Sequence, residues 1–382
     1  MWVYIVLFAI VLWFVYRDGI GKKITNRQFV VIMICLTLFV GLADMLGGYD
    51  RYIYSELFDE IADMTKQGFY YSYTDSLLFN LYVTEWGYGW LNVILSFITK
   101  NRYIFIMIIT CIIYFNLYRS LKKYTSNHAV ALMFFLALLF FFTFTYLRQI
   151  LAITFLWYGI KYILERKFLR FLIVVILASS FHNAAVMFLL MYFIPNIKYD
   201  KGGVLWFVGF VFVAGLSGLP STLYDMYSTV TETERDSGLS EDSTARLAYI
   251  FESSVILFLI FSNYDKLFKN EITTLMTNMA IVFSLILVLF YKSENGGRLS
   301  WCFMIGVIST LTTIYQNQSR QRIVRLGLEL MCAMLYMRIV LTWNIMLYPY
   351  KTFLNPGIRE GDFIEQNYEY DHSYDEDKFY RL

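Results

Sequence analysis

Long apolar runs separated by short polar segments make up most of this sequence. A helix satisfies its own backbone hydrogen bonds inside a bilayer, and about sixteen to twenty apolar residues are enough for one to cross the hydrocarbon core. The apolar runs therefore predict membrane-spanning helices at residues 2–16, 28–43, 103–118, 129–147, 149–164, 203–219, 247–262, 272–291, 299–317 and 326–346.

Two further apolar stretches differ from a simple crossing. Residues 86–98 form a short run that Lys100 and Arg102 separate from the next one. This pattern favours a re-entrant segment that enters the membrane without crossing it. Residues 167–196 are apolar at both ends and polar in the middle, which predicts that the chain turns at His182.

The charged segments differ in sign along the chain. Lys and Arg mark the cytoplasmic side of membrane proteins, and here they cluster at residues 17–27, 119–123, 161–170, 198–201, 266–269 and 320–325. Acidic residues outnumber basic ones by eight to two in residues 44–85 and by six to two in residues 220–246. We therefore predict outer loops at 44–102 and 220–246, with the N-terminus and the acidic tail 350–382 also outside.

The first outer loop contains an amphipathic pattern. Ile53, Leu57 and Ile61 recur every four residues among acidic neighbours, which is typical of a helix with one apolar face. We predict an amphipathic helix at residues 51–63, suited to lying on the membrane surface. The tail, in contrast, has the polar and acidic composition of a mobile segment.

The composition supports a membrane protein. Apolar residues make up 58% of the chain and charged residues only 16%, and the mean hydropathy is positive, which excludes a water-soluble fold. The net charge of +2 says nothing about a polyanionic partner, and the sequence has no basic stripe of the kind that binds nucleic acid. The predicted fold is all-α, a polytopic bundle of about 10–12 transmembrane helices in a single domain at residues 1–349.

Polar residues that could take part in catalysis or binding gather at the outer ends of the predicted spans. Charged groups near a membrane are costly, so they usually pair, face a cavity or act in function. Arg148 interrupts two apolar runs; its guanidinium suits phosphate oxygens, but it could also anchor the helix in the membrane. The gathered residues are Asp50, Arg51, Glu85, Arg148, Gln149, His182, Asn183 and Arg298.

The other candidates also allow two interpretations each. His182 could exchange a proton or donate to a phosphate, or it could cap a short helix. Glu85 and Asp50 lie beside aromatic residues and glycines, a combination that suits sugar recognition, although both could be ordinary loop acids. Arg298 could supply a second cation for a diphosphate or pair with local charges.

The signatures of several soluble enzymes are absent. The sequence has no phosphate-binding glycine loop, no dinucleotide fingerprint and no zinc spacing. Residues 375–377 have the D-x-D form of metal-dependent glycosyltransferases, but they lie in the acidic tail. We therefore assign no metal and no cofactor.

Four short motifs occur in order through the membrane region, followed by Arg298 at the start of a span. They are Tyr49-Asp50-Arg51-Tyr52, Glu85-Trp86-Gly87-Tyr88, Leu147-Arg148-Gln149-Ile150 and Phe181-His182-Asn183-Ala184-Ala185. In these motifs the chain resembles the EpsG family of bacterial exopolysaccharide and capsule polymerases, relatives of the Wzy-type O-antigen polymerases. It departs from the family at Tyr49, where Thr is more common, and at Asn183-Ala184.

The resemblance implies a GT-C-like glycosyltransferase of the bacterial cytoplasmic membrane that acts on its outer face without nucleotide or metal. It would transfer a glycan from an undecaprenyl-diphosphate-linked donor to a lipid-linked acceptor, with flippase and chain-length regulator proteins as partners. Positioned arginines would stabilise the departing diphosphate. The catalytic candidates are Glu85, Asp50, His182 and Arg148, and the substrate-binding candidates are Arg148, Gln149, Arg298, Arg51, Asn183, Tyr52 and Trp86.

Two other kinds of function fit the same residues. A flippase or transporter of lipid-linked sugars would also need cations and aromatic rings in a cavity, although transporters commonly have repeated halves and this sequence shows no repeat. A ligase that moves finished polymer, or an acyltransferase, would use similar groups for a single transfer.

Overall fold

Helices account for the regular structure of this chain. The computed structural model describes residues 1–217, 219–220, 222, 247–293, 296–318, 322–362, 364–365 and 370–382. Within these ranges there is no strand. Of the predicted outer loop 220–246, residues 221 and 223–246 lie outside the described part.

The helices fall into two groups along the chain, before and after residue 168. The first group is α1 (Trp2–Gly19), α2 (Asn26–Gly41), α3 (Tyr49–Gln67), α4 (Leu77–Leu81), α5 (Trp86–Ser96), α6 (Arg102–Tyr124), α7 (His128–Leu138), α8 (Phe142–Thr145), α9 (Leu147–Leu156) and α10 (Ile160–Leu164). The second group is α11 (Phe168–Ser179), α12 (Leu190–Phe193), α13 (Lys201–Leu216), α14 (Leu247–Ser262), α15 (Tyr264–Leu267), α16 (Glu271–Leu289), α17 (Gly296–Ser300), α18 (Met304–Asn317), α19 (Arg322–Thr342), α20 (Asn344–Leu347) and α21 (Ser373–Glu376). Short 3₁₀ turns lie at Tyr73–Asp75, Trp157–Gly159, Asn183–Leu189 and Trp301–Phe303.

Several helices have the length and composition of a membrane crossing. Among the described residues these are Trp2–Gly19, Arg102–Tyr124, Glu271–Leu289 and Gly296–Asn317. Shorter apolar helices include α2, α7, α11, α13 and α14. Helix α19 has 21 residues, about 31 Å of helix, but it is less apolar because it carries several charges. The predicted all-α membrane bundle is confirmed.

The stretch from residue 129 to 164 is more broken than its apolar sequence predicts. In place of two long helices, the chain forms α7, α8, α9 and α10 with turns between them. The first break follows Leu138, where the Thr143 hydroxyl donates to the Phe140 carbonyl at 2.6 Å. Bulky aromatic residues lose side-chain freedom in a helix, and this run is rich in phenylalanine. The break places Arg148 in the first turn of its own helix, α9.

Close helix packing forms the core of the second half. Helix α16 lies between α18, α14 and α13. A methyl group at Gly306 of α18 would meet the Met279 side chain and lie 2.8 Å from the Met276 carbonyl oxygen. A small residue at this position therefore lets the two helices approach closely, as is common between membrane helices.

The segment after α2 forms a cap at one end of the bundle. Helix α5 has 11 residues, about 16 Å of helix, which is too short to cross a membrane. Helix α3 extends beyond the predicted residues 51–63 at both ends. Its buried side chains include the polar Arg51, Ser55 and Asp59 because α3 packs against α5 and α6 and against the tail.

The described part of the tail packs against this cap. Tyr52 donates to Asp362 at 2.7 Å, and Arg102 pairs with Asp59 while its guanidinium lies 4.2 Å from the Tyr374 ring centroid. The Lys378 ammonium lies 3.2 Å from a carboxylate oxygen of the buried Asp44. The composition predicted a mobile tail, whereas the described part of this segment contacts the cap through Tyr52–Asp362 and Lys378–Asp44. The tail and the 44–102 segment therefore share one end of the bundle.

Candidate functional site

Arg148 and Glu85 form a buried ion pair between α9 and α5. Their exposed fractions are 6% and 1%. The Arg148 guanidinium donates to Glu85 Oε2 and lies 3.6 Å from the centroid of the Tyr82 ring, with the Tyr54 ring centroid at 5.4 Å. Arg148, which was predicted to bind phosphate, and Glu85, which was predicted as a candidate base, are therefore paired with each other.

The turn at His182 contacts the same pair. The other carboxylate oxygen of Glu85 accepts from the backbone N–H of Asn183 at 3.1 Å, and the Asn183 side chain donates to Thr84 at 2.6 Å. His182 Nδ1 accepts from the Ala184 backbone N–H at 3.2 Å. His182 is thus the N-cap of the following 3₁₀ turn, the capping role that its position allowed.

A close backbone approach holds the two motifs together. The Tyr88 backbone N–H donates to the Ser180 carbonyl at 3.1 Å. A methyl group at Gly87 would lie 2.8 Å from Ser180 Cβ, so only glycine fits here without movement. The glycine of the Glu85-Trp86-Gly87 motif therefore allows α5 to meet the turn before His182.

Gln149 connects this cluster to Arg298. Its amide donates to the Arg298 backbone carbonyl at 2.7 Å, and the Arg298 guanidinium lies 4.7 Å from the Tyr146 ring centroid. The start of α9 thus positions both the buried pair and the first residues of α17.

Arg298 faces a cavity of about 460 Å³. Residues from α14, α17, α19 and the turns near α8 line it, and they include Arg298, Arg338, Glu252, Tyr146, Trp301 and Trp343. Both arginines are exposed, and within the described part of the chain neither forms an ion pair. The cavity therefore presents two positive charges among aromatic rings.

One end of α19 borders the cavity. Arg338 precedes the last residue of α19 by about 6 Å, at 1.5 Å per residue. Arg298 lies in the short helix α17. The cavity is therefore near this end of α19.

Other predicted site residues have different surroundings. The Arg51 guanidinium donates to the Val40 and Ala43 carbonyls at 3.0 and 3.1 Å, so it closes the end of α2. Tyr52 holds the tail through Asp362. Asp50 is half-buried in the first turn of α3, and Trp86 is 50% exposed at the start of α5. None of these four residues lines the cavity.

Glu252 and Arg338 were missed by the sequence analysis. Both lie inside apolar runs that were assigned as plain spans: Glu252 is the single charge of 247–262, and Arg338 shares 326–346 with one other charge, Glu329. An ionisable residue within a membrane helix is in itself a reason to expect function. A search for charged residues inside the apolar runs would therefore have identified Glu252 and Arg338.

One group in the described residues has the side chains to hold a metal, and it lies in the tail. His372 Nδ1 is 2.9 Å from Glu365 and 3.0 Å from Asp375, and the three ligand atoms lie within 4.8 Å of one another. None of the three lines the arginine-bearing cavity. Among its described lining residues the cavity offers one carboxylate and two cations, a set that suits an anion better than a metal ion.

Comparison with known proteins gives one match. A family model described as the EpsG family matches residues 26–352. No curated protein matches the chain, and no solved structure matches it either. The matched range contains the Glu85–Arg148 pair, the His182 turn and every charged residue of the cavity. Because the model covers most of the chain, this protein belongs to the EpsG family, and it is an exopolysaccharide-related, polymerase-like membrane protein.

Proposed function

We propose that this protein is a polysaccharide polymerase acting on the outer face of the bacterial cytoplasmic membrane. It transfers a glycan from an undecaprenyl-diphosphate-linked donor to a lipid-linked repeat-unit acceptor. The observation that carries the proposal is the cavity with Arg298, Arg338 and several aromatic rings at one end of the bundle.

The two arginines suit the leaving group of this reaction. Negative charge develops on the diphosphate as it departs, and cations placed beside it stabilise that charge. A guanidinium also bonds two phosphate oxygens at once. The volume of about 460 Å³ is within the usual range for small-molecule sites, and the rings of Trp301 and Trp343 offer flat apolar surfaces for sugar rings.

The Arg148–Glu85 pair supports the cavity in this proposal. Arg148 directly precedes Gln149, which fixes the Arg298 carbonyl, and it follows Tyr146, which contacts the Arg298 guanidinium. A buried pair of this kind gives α9 a fixed position against α5. The resemblance assigns Arg148 to the donor diphosphate; here the same residue acts by positioning Arg298.

Reconstitution tests the reaction. The purified protein is placed in liposomes with undecaprenyl-diphosphate-linked repeat units, without nucleotide or added metal, and the products are separated by chain length. A ladder of lengths supports a polymerase. A single added product indicates a ligase or one-step transferase, and unchanged substrate with folded protein indicates the transporter alternative.

Two variants test the roles of the cavity arginines. We expect Arg298→Gln and Arg338→Gln each to lower kcat/KM by about 10²-fold, the usual cost of removing one group that stabilises a developing anion. Arg322→Gln is the matched control because Arg322 is exposed at the other end of α19. Equal rates in the three variants would contradict the assignment of the diphosphate to this cavity.

A further inference from the structure

Glu252 is the only carboxylate among the described residues that line the cavity. It extends from α14, whose sequence LAYIFESSVILFLIFS contains no other charge. Burying part of a carboxylate in such a helix is costly, and Arg338, which lies across the cavity on α19, acts on it electrostatically. The cavity therefore provides Glu252 with a nearby cation, Arg338.

Two carboxylates, Glu85 and Asp50, were expected as candidate bases; neither lines the cavity, and Glu85 is engaged elsewhere. Glu85 is 1% exposed, and its two oxygens accept from Arg148 and from the Asn183 backbone. A general base must come within hydrogen-bond distance of the proton that it removes. Glu85 would first have to leave both of its partners, whereas Glu252 already borders the space that holds the two cations.

We propose that Glu252 is the general base that activates the acceptor hydroxyl. This inference rests on the proposed polymerase function and names a catalytic residue for it. Because Arg298 and Arg338 border the same cavity, a donor diphosphate bound by them would place the anomeric carbon near the Glu252 carboxylate.

The step is balanced as follows. The Glu252 carboxylate takes the proton of the acceptor hydroxyl, and the hydroxyl oxygen forms a bond to the anomeric carbon of the donor glycan. The bond from that carbon to the diphosphate oxygen breaks, and its electron pair leaves with the lipid diphosphate. The arginines stabilise the added charge, and the Glu252 proton passes to the departing diphosphate or to water.

A kinetic comparison tests this role. The reconstituted wild type, Glu252→Gln and Glu252→Asp are given the lipid-linked repeat unit, and binding of undecaprenyl diphosphate to each protein is measured separately. We expect Glu252→Gln to lower kcat by about 10²- to 10⁴-fold with undecaprenyl diphosphate binding within about threefold of wild type. Glu252→Asp keeps the carboxylate and should retain more activity than Glu252→Gln.

Glu271→Gln is the matched control because Glu271 is exposed in the first turn of α16 and does not line the cavity. If the wild type forms a ladder and Glu252→Gln forms it at the rate of this control, the base assignment is wrong and the polymerase function stands. An equal loss of undecaprenyl diphosphate binding in Glu252→Gln would also overturn the base role. If the wild type forms no ladder, the proposed function fails and the inference with it. Should Glu252→Gln not fold, Glu252→Asp with wild-type kcat and altered binding would contradict the base role.

Discussion

Neutralising Glu85 should destabilise the protein far more than neutralising an exposed acid. In Glu85→Gln the Arg148 guanidinium stays buried without an anion. The new side-chain amide has only one oxygen, so its N–H groups face either Arg148 or the Asn183 backbone N–H, both of which are donors. The side chains of Arg148 and Glu85 are only 7% and 1% exposed, so solvent screens the pair little. Breaking a buried pair by removing one partner costs about 3–5 kcal/mol.

A double-mutant cycle separates the pair from its surroundings. Replacing both residues, as in Glu85→Gln with Arg148→Met, removes the uncompensated charge. We expect this double variant to lose less stability than the two single losses added together, with a coupling energy of about 1–3 kcal/mol. The free energy of unfolding is measured in detergent micelles with a denaturant titration for all four proteins.

An exposed pair gives the control. Asp265 lies 2.5 Å from Lys198, and their side chains are 88% and 45% exposed, so Asp265→Asn should change stability by about 0–1 kcal/mol. If Glu85→Gln costs no more than Asp265→Asn, or if the cycle shows no coupling, the buried pair does not hold α9 against α5 and the supporting role proposed for it is wrong.

Two further predictions concern a close contact and the tail. Gly87→Ala should cost about 1–3 kcal/mol of unfolding free energy through overpacking against Ser180, whereas Gly209→Ala in α13, where nothing lies within 4 Å of the added methyl, should not destabilise; equal effects would contradict the close approach. Hydrogen bonding to Asp375 raises the pKa of His372 above its usual 6.5. Protonation of His372 therefore stabilises the docked tail fully below about pH 6.5 and progressively less as pH rises through the raised pKa. Hydrogen-exchange protection of the tail, corrected for the intrinsic exchange rate at each pH, should therefore fall as the pH rises above about 6.5 in wild type but not in His372→Ala.

The local parts of this fold were predictable from the sequence. The apolar runs predicted most helices, and the polar break in residues 167–196 predicted the turn at His182, because a backbone that leaves a helix needs polar partners. Glu85 and Arg148 were both predicted as site residues. Their direct pairing was not predicted, because it joins residues far apart in the chain and no local pattern records it.

The tail shows why composition alone was insufficient. Its acidic residues predict mobility only if their charges stay in water. In the structure Asp362 of the tail instead accepts from Tyr52 of α3, Lys378 pairs with the buried Asp44, and Tyr374 is fully buried. These contacts depend on how α3, α6 and the tail are placed in three dimensions, which an average over residue types does not contain.

The surroundings of the arginines separate structural from functional charge. The guanidinium of Arg51 donates to backbone carbonyls, and those of Arg102 and Arg148 pair with buried carboxylates. Each of these three guanidinium groups is buried and bonded to other groups of the fold. Arg298 and Arg338 instead border a cavity in which Glu252 is the one carboxylate among the described lining residues. Among these residues the two cations outnumber the single anion, and an anionic ligand would balance the excess positive charge. The buried pairing of Arg148 with Glu85 supports the proposal that Arg148 positions Arg298, whereas the family resemblance predicts that Arg148 itself binds the donor diphosphate.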